Sequence, residues 1–151
     1  MKISAAGMEL LKRSEGFRNR VYQDVAGLPT IGYGHRLLHA ESFPNGIDSA
    51  QAAELLAADV RDAEQAVERM VKVPLAQSQF DALVDFVFNL GAGRFATSTL
   101  LKCLNAGRYD EAVKELLRWD RAGGQEIPAL RVRREAEVRL WQSAHSEQQA
   151  A

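Results

Sequence analysis

EGFRNRVYQDVAGLPTIGYGH, residues 15–35, carries the chain's only clear β pattern and decides how the rest is read. From Val21 to His35 the chain runs through VYQD, a turn VAGLP with Gly and Pro, and TIGYGH, which predicts a small β-hairpin or sheet. Side chains alternate along a strand, so Ile31, Tyr33 and His35 are expected on one face and Thr30, Gly32 and Gly34 on the other. The Thr30 face is then nearly bare. Glycines weaken a strand, and they are kept either for close approach of another backbone or a ligand, or for a twisted or bulged hairpin.

Upstream, Ser4 precedes apolar residues at Ala5, Met8 and Leu11, and Gly16 is placed to end a turn, predicting a first helix over about 4–15. Glu15 then sits at the negative end of the helix dipole, which costs a carboxylate about 0.3–1 kcal/mol and favours its protonated form. Asp24 opens a turn rich in backbone N–H groups. That setting keeps a carboxylate ionised, and it is also where structural aspartates cap turns. Two carboxyls pushed apart in this way form the acid–base pair of glycoside hydrolysis, although a chain with 20 acidic residues contains such pairs by composition alone.

Downstream, Asp48 and Gln51 predict a capping box for a long helix with Ala52, Leu56, Val60, Ala63, Val67 and Met70 on one stripe. Its length suits a spine joining two lobes. After Pro74, SQFDALVDFVFNLGAG places Phe80, Leu83, Val84, Val87 and Leu90 on one face and predicts a central core helix. Further helices are expected at STLLKCLNAG, RYDEAVKELLRW and, after a loop DRAGGQEIP, ALRVRREAEVRLWQSA; the tail HSEQQAA is polar and expected to fray. The class is α+β: a β-containing lobe over about 16–48, a helical lobe over about 72–145 with the first helix packed against it, and a cleft between them, forming one catalytic unit of 151 residues.

Lysine plus arginine (19) nearly balance aspartate plus glutamate (20), so the net charge of -1 provides no field to attract nucleic acid or anionic lipid. No apolar run approaches a membrane span, and no secretory signal pattern opens the chain, so stable membrane insertion is not expected. The single cysteine, Cys103, lies in a helical apolar stretch and reads as a core thiol. His35, His39 and His145 lack zinc-ligand spacing, so neither metal nor cofactor is expected.

The pattern E-x6-Y-x-D-x2-G-x2-TIGYGH, from Glu15 through Tyr22, Asp24, Gly27 and Thr30 to His35, closely resembles the phage lysozyme or endolysin family, glycoside hydrolase family 24. The resemblance extends collinearly through QFDALVDFVFNLGAG and RYDEAVKELLRWDRAGG to LRVRREAE, from Met8 to about Trp141. It implies a lysozyme-like fold and a muramidase acting on the β-1,4 bond between N-acetylmuramic acid and N-acetylglucosamine of the peptidoglycan glycan strand. Glu15 is then the general acid, with Asp24 and Thr30 stabilising the oxocarbenium-like transition state and positioning water.

Tyr22, Gly32, Tyr33 and Gly34 are expected in support, and His35 in a structural hydrogen bond. Arg133, in a stretch where Ala129 replaces the family's usual glycine, is either a partner for Glu15 or part of a solvated helix face. The resemblance also implies inverting chemistry. With no export or anchor pattern the protein is expected in the host cytoplasm, released to the wall through a holin or else delivered on a phage tail or by a bacterial secretion apparatus, and a monomer is the default. A lytic transglycosylase and a non-catalytic peptidoglycan-binding module are the alternatives.

Overall fold

The computed structural model describes the backbone of residues 1–150 and the side chains of residues 1–144. The chain divides into two compact units, Leu11–Arg61 and Met1–Leu10 with Asp62–Ala151. The expected fraying of His145–Ala151 concerns residues outside those whose side chains are described.

In the Leu11–Arg61 unit, α1 (Ala5–Glu15) ends where Gly16, at φ +73, turns its N–H back onto the Lys12 carbonyl at 2.9 Å. A three-stranded antiparallel sheet follows, ordered β1 (Arg18–Gln23), β2 (Pro29–Gly32), β3 (His35–Arg36). Tyr22 pairs with Thr30, and Thr30 with Arg36, so these three share a face, while Ile31 and His35 pair on the other. TIGYGH is therefore not one alternating strand. The chain reverses at Tyr33–Gly34 because Gly32 and Gly34 take φ of +66 and +74, which other residues rarely adopt. Nor is the Thr30 face bare: it carries Tyr22 and Arg36, and Thr30 is buried.

The core of this unit is Ile31, Ile47 and Ala52, with Tyr33, Leu37, Phe43 and Leu55 packed around it. Gly32 fits because a Cβ there would stand 3.2 Å from both the Ala52 Cβ and the Ile47 Cδ1. Helix α2 (Ser49–Met70) starts with the expected capping box: the Gln51 N–H donates to Asp48 Oδ1 at 2.8 Å, and the Asp48 N–H to Gln51 Oε1 at 3.0 Å.

The other unit is helical: α3 (Gln77–Leu90), α4 (Ala92–Ala96), α5 (Thr99–Asn105), α6 (Tyr109–Leu116) and α7 (Pro128–Ala150). Between α6 and α7, DRAGGQEIP is a hairpin rather than a loop, with β4 (Arg121–Ala122) paired to β5 (Gln125–Glu126) across Gly123–Gly124 at φ +60 and +80. A Gly-Gly pair suits this tight turn, so the signal was present in the sequence.

Helix α3 packs against α7, and its Phe86 stands edge-on to Phe95 of α4 and to Trp119 just beyond α6, at 6.1 and 5.6 Å between ring centres. It also buries charge. Arg133 grips Asp85 with two hydrogen bonds of 3.0 and 2.9 Å, and Arg134 lies 5.1 Å over the Phe86 ring while donating to Asn89 and Glu137. Burial pushes the Glu137 carboxyl well above its ordinary range, aided by neighbouring Asp85. Asp85 is held low against the same burial by hydrogen bonds from Glu137 and Arg133. Asp81 in the same helix accepts from the Ser4 N–H at 2.9 Å and from the Ser4 hydroxyl. Cys103 is buried and free.

His35 binds the small unit together. Its Nδ1 lies 2.8 Å from Asp59 of α2 and its Nε2 2.8 Å from Glu41 of the connecting loop. A neutral imidazole has one N–H, so satisfying both carboxylates requires the imidazolium. Burial depresses the pKa of this ring, but the bonds and charges of Glu41 and Asp59 outweigh it and leave the pKa raised above 6.5. The stabilisation is thus complete below the unfolded value of 6.5 and is lost as pH rises through the raised folded value. Thermal melts should show this alkaline decline, and Asp59→Asn combined with Glu41→Gln should flatten it. An unchanged profile in that double variant would remove His35 as its source.

Candidate active site

Glu15 is the last residue of α1, partly exposed, with its carboxylate against the β2–β3 turn. A Cβ built on Gly34 would lie 2.9 Å from Glu15 Oε2 and 3.5 Å from its Cδ. The neighbouring Tyr33 ring stands 5.5 Å from the half-exposed Phe17 ring, and the Lys12 ammonium lies 6.0 Å from the centre of the Tyr33 ring. Residues on either side of Glu15 thus hold the turn that its carboxylate meets.

Asp24 occupies the β1–β2 turn, closed by Gly27 at φ +78 and by the Asp24 N–H donating to the Leu28 carbonyl at 2.9 Å. Its Oδ1 accepts from the N–H groups of Leu28 and Ala26, both at 2.9 Å, and its Oδ2 from Arg36 Nε at 3.2 Å. The Leu28 bond above all, with Ala26 and the Arg36 charge, outweighs desolvation and lowers the Asp24 pKa below 3.8. This is the ionised turn carboxylate that the sequence leads one to expect.

Thr30 is buried, and its hydroxyl donates to the Leu28 carbonyl at 2.9 Å. Its proton is thereby occupied, so toward a water the hydroxyl offers a lone pair. Tyr22 stacks under the Arg18 guanidinium at 4.5 Å. His35 takes its two carboxylates on the sheet face opposite Thr30, and Arg133 takes Asp85 in the helical unit.

Arg36 was missed by the sequence reading. It follows the motif's last residue, and only the β2–β3 register places it beside Thr30 and within reach of Asp24. The other partners missed, Glu41 and Asp59, lie 6 and 24 residues from His35 with no local pattern to connect them. A groove of about 740 Å3 lined by residues including Leu75, Gln79, Arg108, Tyr109 and Glu111 contains none of these candidates. Among the described residues no group of His, Cys, Asp or Glu has the arrangement of a metal site, and no helix is long and apolar enough to cross a membrane.

A helical majority with a small antiparallel sheet, and a helix-end glutamate meeting the sheet's turn, define the lysozyme-like class. The crystal structure of a point mutant of P22 lysozyme superposes with a TM-score of 0.85 at 39% identity, covering 93% of this chain and 98% of that one. The phage lysozyme family model matches residues 12–137, and the chain belongs to that family.

The endolysin of Bacillus phage B103 is 42% identical over 97% of this chain, which spans only 56% of that protein's length. The endolysin of Acyrthosiphon pisum secondary endosymbiont phage 1 is 42% identical over 95% of this chain and 100% of its own.

Because the Leu28 N–H is the leading cause of the lowered Asp24 pKa, Arg36→Ala should raise that pKa only slightly in a carbon-13 carboxyl titration. A return to 3.8 on removing Arg36 would assign the effect to the ion pair instead.

Proposed function

We propose that the protein is an endolysin of the muramidase type, hydrolysing the β-1,4 bond between N-acetylmuramic acid and N-acetylglucosamine in bacterial peptidoglycan. The observation that carries this reading is a pair of carboxyl groups in one compact unit with contrasting surroundings. Asp24 is held ionised by two backbone N–H groups and Arg36, while Glu15 lies at a helix end against the turn at Gly34.

Glycoside hydrolysis needs that division of labour: one carboxyl delivers a proton to the departing oxygen while another remains negative beside the developing oxocarbenium charge. Glu15 is the proton donor in this reading. Asp24 stabilises the positive charge and, with the lone pair of Thr30, orients the attacking water; its bonds to Leu28 and Ala26 keep it from competing for the proton. Tyr22 and Tyr33 support the two turns. Arg133 enters through Asp85, which fixes its guanidinium. The route to the wall through a membrane-permeabilising partner of the holin type, with the protein acting as a monomer, belongs to the same proposal.

The test is turnover of purified peptidoglycan by the unaltered protein and by Glu15→Gln, with the released sugar ends identified by mass spectrometry. Reducing ends are expected, and the variant should lose about 10² to 10⁴-fold in rate, as general acids do. Anhydro ends would turn the reaction into a transglycosylation, and release by neither protein would leave a binding module.

A further inference from the structure

The two turn glycines of TIGYGH meet different neighbours. Gly32 faces Ala52 and Ile47, which is packing. At Gly34 the three nearest heavy atoms to a would-be Cβ are Oε2, Cδ and Cγ of Glu15, at 2.9, 3.5 and 3.9 Å. The positive φ of Gly34 would by itself favour glycine, and Gly16, Gly27 and Gly123 have similar φ values with nothing within 4 Å of the same point. Backbone conformation therefore does not account for the closeness of the carboxylate at Gly34.

We propose that Gly34 is a positioning residue for Glu15: its missing side chain lets the turn backbone serve as a stop for the carboxyl group, and Tyr33 pins that turn to the end of α1. This rests on the reading of Glu15 as the proton donor. A glutamate side chain has three torsions, and ordering each of them costs conformational entropy. Proton delivery requires its oxygen within hydrogen-bond reach of the leaving group, so each freedom removed beforehand is not lost again in the transition state.

The pin is assembled from residues flanking the acid. Phe17, two positions beyond Glu15, lies 5.5 Å from the Tyr33 ring, and Lys12, one turn before it, places its ammonium 6.0 Å from the same ring. The helix end and the turn are thus in contact on both sides of the acid. A Cβ at residue 34 would intrude on this contact at 2.9 Å, too close for an unshifted oxygen, and would displace the carboxyl.

Three variants separate the stop from backbone strain. Gly34→Ala adds both the Cβ and the strain, and Gly34→Asn adds the Cβ at a residue type that tolerates positive φ. Gly123→Ala adds equivalent strain in the β4–β5 turn with no contact. With soluble glycan fragments as substrate and thermal melts to verify folding, both Gly34 variants should lose about tenfold in kcat at unchanged KM, and Gly123→Ala should lose stability only. The carboxyl carbon-13 resonance of Glu15 should shift in both Gly34 variants and stay in place in Gly123→Ala.

Full kcat in Gly34→Asn, or an unmoved Glu15 resonance, would overturn the proposal and reduce Gly34 to a turn former. Undiminished turnover by Glu15→Gln would instead defeat the underlying assignment of the acid, and the resonance would still report whether the contact exists.

Discussion

An imidazole with a carboxylate on each ring nitrogen is the interaction on which the Leu11–Arg61 unit depends. His35 is drawn by Asp59 toward α2 and by Glu41 toward the loop that leads to it, so one buried cation fixes β3 from two directions. Once β3 is fixed, its pairing with β2 fixes the turn between them, and the turn fixes what Glu15 can touch. Ile31, Ile47 and Ala52 provide the burial beneath these contacts.

The helical unit handles charge in the opposite manner. Asp85, Arg133, Arg134 and Glu137 are all buried where α3 packs against α7, and a buried ion pair gains less from attraction than it loses in hydration unless each group is also hydrogen-bonded. Arg133 meets that condition with two bonds to Asp85, whereas Arg134 donates from one nitrogen to Asn89 and Glu137 and lies over the Phe86 ring, leaving its Nε and Nη1 without a hydrogen bond. The Glu137 carboxyl is pushed well above its ordinary range, by burial first and then by neighbouring Asp85.

Much of this was legible in the sequence where the deciding interactions are local. The end of α1 at Gly16, the capping box of Asp48 and Gln51 and the Asp24 turn each depend on residues within a few positions of one another, whereas α3 is buried all round from Phe80 to Val87 and not on one stripe ending at Leu90. Reading TIGYGH as one alternating strand failed because two glycines with positive φ fold it back on itself, and alternation carries no information about φ. The β4–β5 hairpin was passed over because its strands are two residues long, too short for any period to show.

The sequence by itself determined the family, the order and kind of most elements, and the candidates Glu15, Asp24 and Thr30, because a spaced motif and local backbone signals survive without the fold. Only the tertiary structure decided which groups those candidates meet: Arg36 beside Asp24, the Leu28 carbonyl under Thr30, and bare backbone at Gly34 against Glu15. Distances of a few ångström depend on strand register and on how a turn seats against a helix end. Those are set by the packing and ion pairs of the whole unit, with partners as far apart in sequence as His35 and Asp59.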